Sequence, residues 1–123
     1  MKSIICENYG PLDTLVYKEV DLPEIKNPGE ILIKVFSSGV NFPDGLLVQG
    51  KYQHKPLVPF TPGMEVSGVV TKIGSEVTEF EIGERVAGLS QLGGYSEYIV
   101  LNKNSVYKIP LKMNYDQACA LLC

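Results

Sequence analysis

Twelve glycines and eight prolines are spread along the 123 residues rather than gathered in one linker. They cut the chain into short pieces, which is the sequence signature of an all-β domain. The run Leu15-Val16-Tyr17-Lys18-Glu19-Val20 is stopped by Pro23, and Asn27-Pro28-Gly29 turns the chain into the next run. There Ile31, Ile33 and Val35 alternate with Leu32, Lys34 and Phe36, a period of two with apolar residues on both faces. Residues 66–73 are rich in β-branched side chains and end at Gly74-Ser75. Arg85-Val86-Ala87 and residues 95–101 read as two further strands, with Gly93-Gly94 as the turn between them. The pattern predicts a mainly β fold of six or seven strands, closed into a small, partly open barrel.

Two segments depart from this pattern. Residues 41–50 have an N-cap residue in Asn41, a helix-tolerated proline in Pro43 and a stop in Gly50, so they predict at most two helical turns. Gly45 weakens even those. The second segment begins at Asn114, which caps a helix whose third residue is Gln117, close to a capping box. An apolar run, Ala118 to Cys123, follows with no basic last turn and no C-cap glycine. Leaving Leu121, Leu122 and Cys123 in water forgoes about 25 cal/mol for each Å² not buried. The expectation is that this helix once continued into a further domain; packing back onto the barrel is the alternative.

Composition then narrows the function classes. A chain that is 45% apolar and 20% charged is globular rather than disordered, and at this length it can bury roughly 65% of its unfolded surface without a metal or disulfide staple. With 11 basic and 14 acidic side chains, a net charge of −3 argues against a nucleic-acid partner, which a basic stripe normally recognises. No apolar run approaches the roughly 20 residues of a membrane span. No signal peptide opens the chain, and three cysteines without framework spacing suit a reducing compartment, so a cytoplasmic location is expected.

The residues offer little independent chemistry. The only histidine, His54, sits among polar neighbours, as an exposed loop residue would. Cys119 and Cys123 are four apart on the terminal helix, but zinc wants four ligands and no others are within sequence reach. Gly63 and Gly68 have the gap of a phosphate-binding loop, yet Val69-Val70 stand where that loop needs Lys-Ser/Thr.

The order of motifs from Gly39 to Leu101 carries further. Gly39-Val40-Asn41-Phe42-Pro43-Asp44 is followed by Gln49-Gly50-Lys51-Tyr52 and by Pro59-Phe60-Thr61-Pro62-Gly63-Met64-Glu65-Val66-Ser67-Gly68. Ile73-Gly74-Ser75-Glu76-Val77, Gly83-Glu84-Arg85-Val86 and Gly94-Tyr95-Ser96-Glu97-Tyr98 complete the series. The whole resembles the N-terminal GroES-like domain of the medium-chain dehydrogenases/reductases, in their zinc-free NADPH:quinone oxidoreductase (zeta-crystallin-like) branch. The resemblance implies a GroES-like barrel over residues 1–113. It makes residues 114–123 the start of a helix leading to a Rossmann domain that this sequence does not contain.

Where zinc-dependent relatives present Cys-x-Ser/Thr-Asp and Gly-His-Glu, this chain has Asn41-Phe42-Pro43-Asp44 and Gly63-Met64-Glu65. Asn and Met are poor ligands for Zn²⁺, so no zinc is expected. The resemblance implies metal-free hydride transfer from NADPH to a quinone or activated carbonyl, with the protein supplying orientation and hydrogen bonds. Asn41 and Tyr52 are the residues implied to be catalytic, Asn41 and Phe42 to lie at the cofactor, and Asp44, Tyr52, Met64 and Glu65 to line the substrate cleft. Read as structure alone, Asn41 is a helix cap, Tyr52 a packing aromatic, Asp44 a first-turn carboxylate and Glu65 a backbone hydrogen-bonder. A zinc-free enoyl-thioester reductase shares the same motifs, and a non-catalytic interaction module shares the barrel. The implied partners are the Rossmann domain, on this or another chain, and the quinone. Homo-oligomer formation and the choice of NADP over NAD stay open.

Purified protein is therefore expected to hold less than one zinc per chain, and a chelator to leave its melting temperature unchanged. One tightly held zinc per chain in elemental analysis would overturn the zinc-free assignment.

Overall fold

The computed structural model describes residues 1–53 and 55–121, except for the side chains of Phe42 and Leu121; His54, Leu122 and Cys123 lie outside the described residues. Seven strands and two short α-helices are found among them: β1 (Lys2–Ile5), β2 (Val16–Glu19), β3 (Glu30–Ser38), α1 (Phe42–Val48), β4 (Glu65–Ile73), β5 (Arg85–Leu89), β6 (Tyr98–Asn102), β7 (Val106–Lys108) and α2 (Tyr115–Leu121). The fold is mainly β, as the spacing of glycines and prolines predicts.

Five strands form one antiparallel sheet in the order β6-β3-β4-β5-β7, and β1 pairs with β2 in a separate ribbon. The nine-residue strands β3 and β4 are its spine, with Ile31 opposite Ile73 and Ser38 opposite Val66. The register slips between Leu32 and Ile33 and again between Val35 and Ser37. Each extra residue bends its strand and increases the twist, so the sheet curls into a half-barrel instead of lying flat. Ile31, Ile33, Val66, Val70, Val86 and Ile99 fill the concave side, with Val77 and Phe80 packed among them. Leu32 is buried as well as its neighbours, which explains why β3 has apolar residues on both faces.

The turn assigned to Gly93-Gly94 needs correcting. β5 pairs with β4 and β7, whereas β6 pairs with β3 at the opposite edge, so β5 and β6 do not form a hairpin. The two glycines instead lie against the segment before β4. Gly93 N–H donates to Thr61 O at 2.8 Å, Gly94 N–H to Gly63 O at 3.1 Å and Tyr95 N–H to Pro62 O at 3.0 Å. Gly63 has φ +112°, and a Cβ there would stand 2.6 Å from Gly94 Cα. Two backbones pass at a distance that no side chain permits.

A second apolar cluster, Cys6, Leu47, Val48 and Phe60, joins α1 to the barrel, and Leu15, Tyr52, Met64 and Leu92 pack against it. α1 begins and ends where the sequence places it, with Asn41 at the N-cap and Gly50 at φ +71°. α2 has the expected capping box: Gln117 N–H donates to Asn114 Oδ1 at 2.8 Å and Asn114 N–H to Gln117 Oε1 at 3.1 Å. Its described turns pack on the sheet. Ala118 and Cys119 are buried, Ser67 Oγ donates to Tyr115 O at 2.6 Å, and the Tyr115 ring meets Phe36 edge-on at 4.7 Å. The helix is thus seated on the barrel through its first two turns; the expectation for Leu122, Cys123 and the Leu121 side chain lies outside the described residues. No helix among the described residues is long and apolar enough to cross a membrane.

Two glycine replacements should have opposite signs in a urea titration. Gly63→Ala forces a side chain into a left-handed backbone and into Gly94, and should lose roughly 2–5 kcal/mol. Gly45→Ala adds a helix-favouring methyl where nothing lies within 4 Å of the new Cβ. It should gain about 0.5–1 kcal/mol.

Candidate functional site

The turn from β3 into α1 presents Asn41, whose backbone is extended at φ −120° and ψ 160° before the helix starts. Its N–H would be an orphan donor, and Asp44, three residues on, satisfies it: Asp44 Oδ2 accepts from Asn41 N–H at 2.9 Å. This is a capping box built with Asp in the position usually held by Glu or Gln. The side-chain amide of Asn41 reaches further, and Nδ2 donates to Glu65 Oε1 at 3.1 Å. Asn41 thus stands at the helix cap and also bonds Glu65 through its side chain.

Glu65 opens β4 and is only 3% exposed. Its side chain lies on Gly39, where a Cβ would come within 1.8 Å of Oε1. A glycine is the one residue that leaves room for this carboxylate below Asn41. Asp44 is equally buried, at 3%. Its Oδ2 also accepts from the Tyr95 hydroxyl at 2.8 Å. One oxygen on each carboxylate, Asp44 Oδ1 and Glu65 Oε2, is buried without a hydrogen-bond partner among the described residues. Buried acceptors left unmatched are costly, by about 1–3 kcal/mol each, and two in residues joined through Asn41 mark a polar site rather than a packing solution.

Above this floor lies a cleft of about 460 Å³, lined by Leu12, Leu15, Val40, Leu46 and Val48 with Asn41, Asp44, Gln49 and Tyr95 among them. Apolar walls with a few convergent polar groups are the usual form of a small-molecule site. No thiolate or imidazole lines this cleft among the described residues, and no group of three or more His, Cys, Asp or Glu side chains could hold a metal among them. The Asn41 amide N–H suits a carbonyl oxygen, and the acceptors beside it suit the NH2 of a carboxamide. Asn41 keeps a second Nδ2–H after serving Glu65, a donor available to such a ligand.

The residues singled out in sequence divide into two groups. Asn41, Asp44 and Glu65 meet in one hydrogen-bonded network. Tyr52 and Met64 pack instead on the neighbouring apolar cluster with Leu47 and Val48, Tyr52 half-buried and its hydroxyl without a partner among the described residues. The backbone of Phe42 opens α1, but its side chain lies outside the described residues. Tyr95 was not singled out by the sequence reading. Its local sequence says only that a strand follows a glycine pair; its place at the network comes from the contact between Gly94 and Gly63. Burial first, then the hydrogen bond to Asp44 and the charges of Asp44 and Glu65, hold its phenol well above the ordinary tyrosine range.

Residues 27–111 match the family described as the alcohol dehydrogenase GroES-like domain. The chain is 34% identical over 122 residues to the human quinone oxidoreductase, which covers 98% of this chain and 37% of that protein. It is 39% identical over 121 residues to a quinone oxidoreductase-like protein 2 homolog of Nematostella vectensis, covering 98% of this chain and 33% of that one. Among solved structures, Escherichia coli quinone oxidoreductase complexed with NADPH superposes with a TM-score of 0.91 at 29% identity, over 98% of this chain and 36% of that chain. The chain thus spans about a third of the length of the curated relatives it matches.

An absorbance titration of the phenols should find one of the seven tyrosines ionising later than the rest. Tyr95→Phe should remove that late step. Because the fold favours the protonated phenol, its contribution to stability is complete below the unfolded tyrosine pKa of about 10 and is lost as pH rises through the higher folded value. Seven phenols titrating together would contradict the buried Tyr95–Asp44 contact.

Proposed function

Because the chain belongs to the family of the alcohol dehydrogenase GroES-like domain, we propose that it is the substrate-side part of an NADPH-dependent quinone oxidoreductase that works without a metal. The observation that carries this reading is the apolar-walled cleft whose polar side is Asn41, its side-chain amide held by the buried Glu65 and its backbone N–H by the buried Asp44. The donor set there is wrong for zinc and right for orienting a carbonyl. In this reading residues 1–113 form the substrate-side domain, and residues 114–123 lead toward a dinucleotide-binding Rossmann domain. The relatives named as quinone oxidoreductases, one of them solved with NADPH, support it.

NADPH, when bound, supplies the hydride. The residues present fit its nicotinamide end: Asn41 offers a free amide N–H at the cleft, and the apolar walls match a flat, weakly polar ring. The glycine loop and helix N-terminus that hold a pyrophosphate have no counterpart in these 123 residues. What this chain does is therefore positional. Leu12, Leu15, Val40 and Leu46 exclude water from the acceptor and align its ring, and Asn41 donates to the carboxamide or the acceptor carbonyl. Tyr52 packs on the apolar cluster next to the cleft, sharing Leu15 and Val48 with it; the family resemblance, not its place in the cleft wall, assigns its hydroxyl to the oxygen that gains negative charge as hydride arrives. Reduction then leaves a hydroquinone oxygen that takes its proton from solvent at the open side of the cleft.

Joined to the dinucleotide-binding domain of a quinone oxidoreductase relative, the chain should reduce quinones with NADPH, and faster than it reduces enoyl thioesters. Tyr52→Phe should lower kcat by up to roughly 10²-fold, the range for losing one oxyanion donor. Asn41→Ala should also raise KM. Its melting temperature must be read alongside, since a lost cap costs about 1 kcal/mol. Preference for the enoyl thioester would transfer the assignment to that class of reductase. Wild-type kinetics in both well-folded variants would reduce these residues to packing and capping.

A further inference from the structure

Tyr95 stands outside the roles assigned so far. Its backbone is rooted in the barrel: its N–H donates to Pro62 O at 3.0 Å, and its carbonyl accepts from Ile4 N–H at 2.9 Å. Its neighbour Gly94 is pinned to Gly63. From this fixed point its hydroxyl reaches Asp44 Oδ2, the same oxygen that accepts from Asn41 N–H. Among the described residues, α1 makes no backbone hydrogen bond to the barrel from its first turn. Its apolar anchors, Leu47 and Val48, lie in the last turn, while the first turn carries Asn41 and Asp44 and is followed directly by the helix-weakening Gly45. Among the described residues, which do not include the Phe42 side chain, two polar bonds tie the first turn to the barrel: Tyr95 to Asp44 and Asn41 to Glu65.

We propose that Tyr95 is a positioning residue for the cleft, acting through Asp44 to fix the N-cap turn and so to aim the spare amide hydrogen of Asn41. The proposal rests on the quinone reductase reading for its kinetic consequence, but not for its structural one. A charge-assisted bond to a buried carboxylate is directional and about twice as strong as a neutral one. Loss of the Tyr95 hydroxyl leaves Asp44 Oδ2 with a single donor, in a residue whose other oxygen has none among the described residues. The first turn is then free to shift, and Asn41 with it. The aromatic ring still lines the cleft, so Tyr95→Phe removes the tether without opening a cavity.

Two measurements test this. In the full 123-residue chain, nuclear magnetic resonance should show the Asn41 side-chain amide displaced in Tyr95→Phe, while core signals from Ile31 and Val86 stay in place. In the chain joined to a dinucleotide-binding domain, Tyr95→Phe should lower quinone turnover by about 10-fold with the same division between kcat and KM as Asn41→Ala, and by less than about 2-fold when introduced into Asn41→Ala, the non-additivity expected of residues acting as a unit. Losses that multiply in the double variant would mean that Tyr95 acts independently of Asn41 and would overturn the proposal. An Asn41 amide signal unmoved by Tyr95→Phe would overturn it whatever the kinetics. A joined wild-type protein that fails to reduce quinones would count against the assigned reaction, and the amide signal would still decide the role of Tyr95.

Discussion

The passage of Gly63 against Gly94 organises the functional end of this molecule. A backbone hydrogen bond of 3.1 Å joins them, and a methyl group on Gly63 would overlap the facing chain. Two residues beyond Gly63 is Glu65, and one beyond Gly94 is Tyr95, so the contact brings a carboxylate from one end of β4 near a phenol that precedes β6. These strands are not neighbours in the sheet; β3 lies between them. No ladder of sheet hydrogen bonds would bring the two side chains to the same place. The meeting of two glycine-bearing loops does.

The other half of the site comes from the turn between β3 and α1. Gly39 leaves room for Glu65, and Asn41 bridges Glu65 and Asp44 with its side-chain amide and its backbone N–H. Two carboxylates, both almost fully buried, are tolerated because each has one oxygen matched by a donor, although each keeps one oxygen unmatched among the described residues. A purely structural core would replace such a pair with apolar side chains at little or no loss of stability. Its presence beside an apolar-walled cleft marks a polar site rather than a packing solution. Among the described residues, the two ends of α1 are anchored differently, by polar bonds at Asn41 and Asp44 and by apolar packing at Leu47 and Val48.

Much of the scaffold was legible from local patterning. The β-branched runs, the cap at Asn41, the stop at Gly50 and the Asn114–Gln117 capping box are short-range features, decided by neighbours within four residues. Asn41, Asp44 and Glu65 could be picked out through the family resemblance, but neither their joining into one network nor the departure of Tyr52 to an apolar cluster could be. The misread turn at Gly93-Gly94 has the same origin. A glycine pair reports that a backbone must bend or approach something closely, not what it approaches.

What the sequence by itself determined was the set of elements: a curled β domain and short helices with defined caps. These depend on side-chain type and on spacings of a few residues. Only the tertiary structure decided which groups share the cleft. The Tyr95 hydroxyl and Asp44 are 51 residues apart in the chain, and Asn41 and Glu65 are 24 apart. Contacts at that separation are set by strand order and by the backbone crossing at Gly63 and Gly94, and no local sequence pattern encodes either.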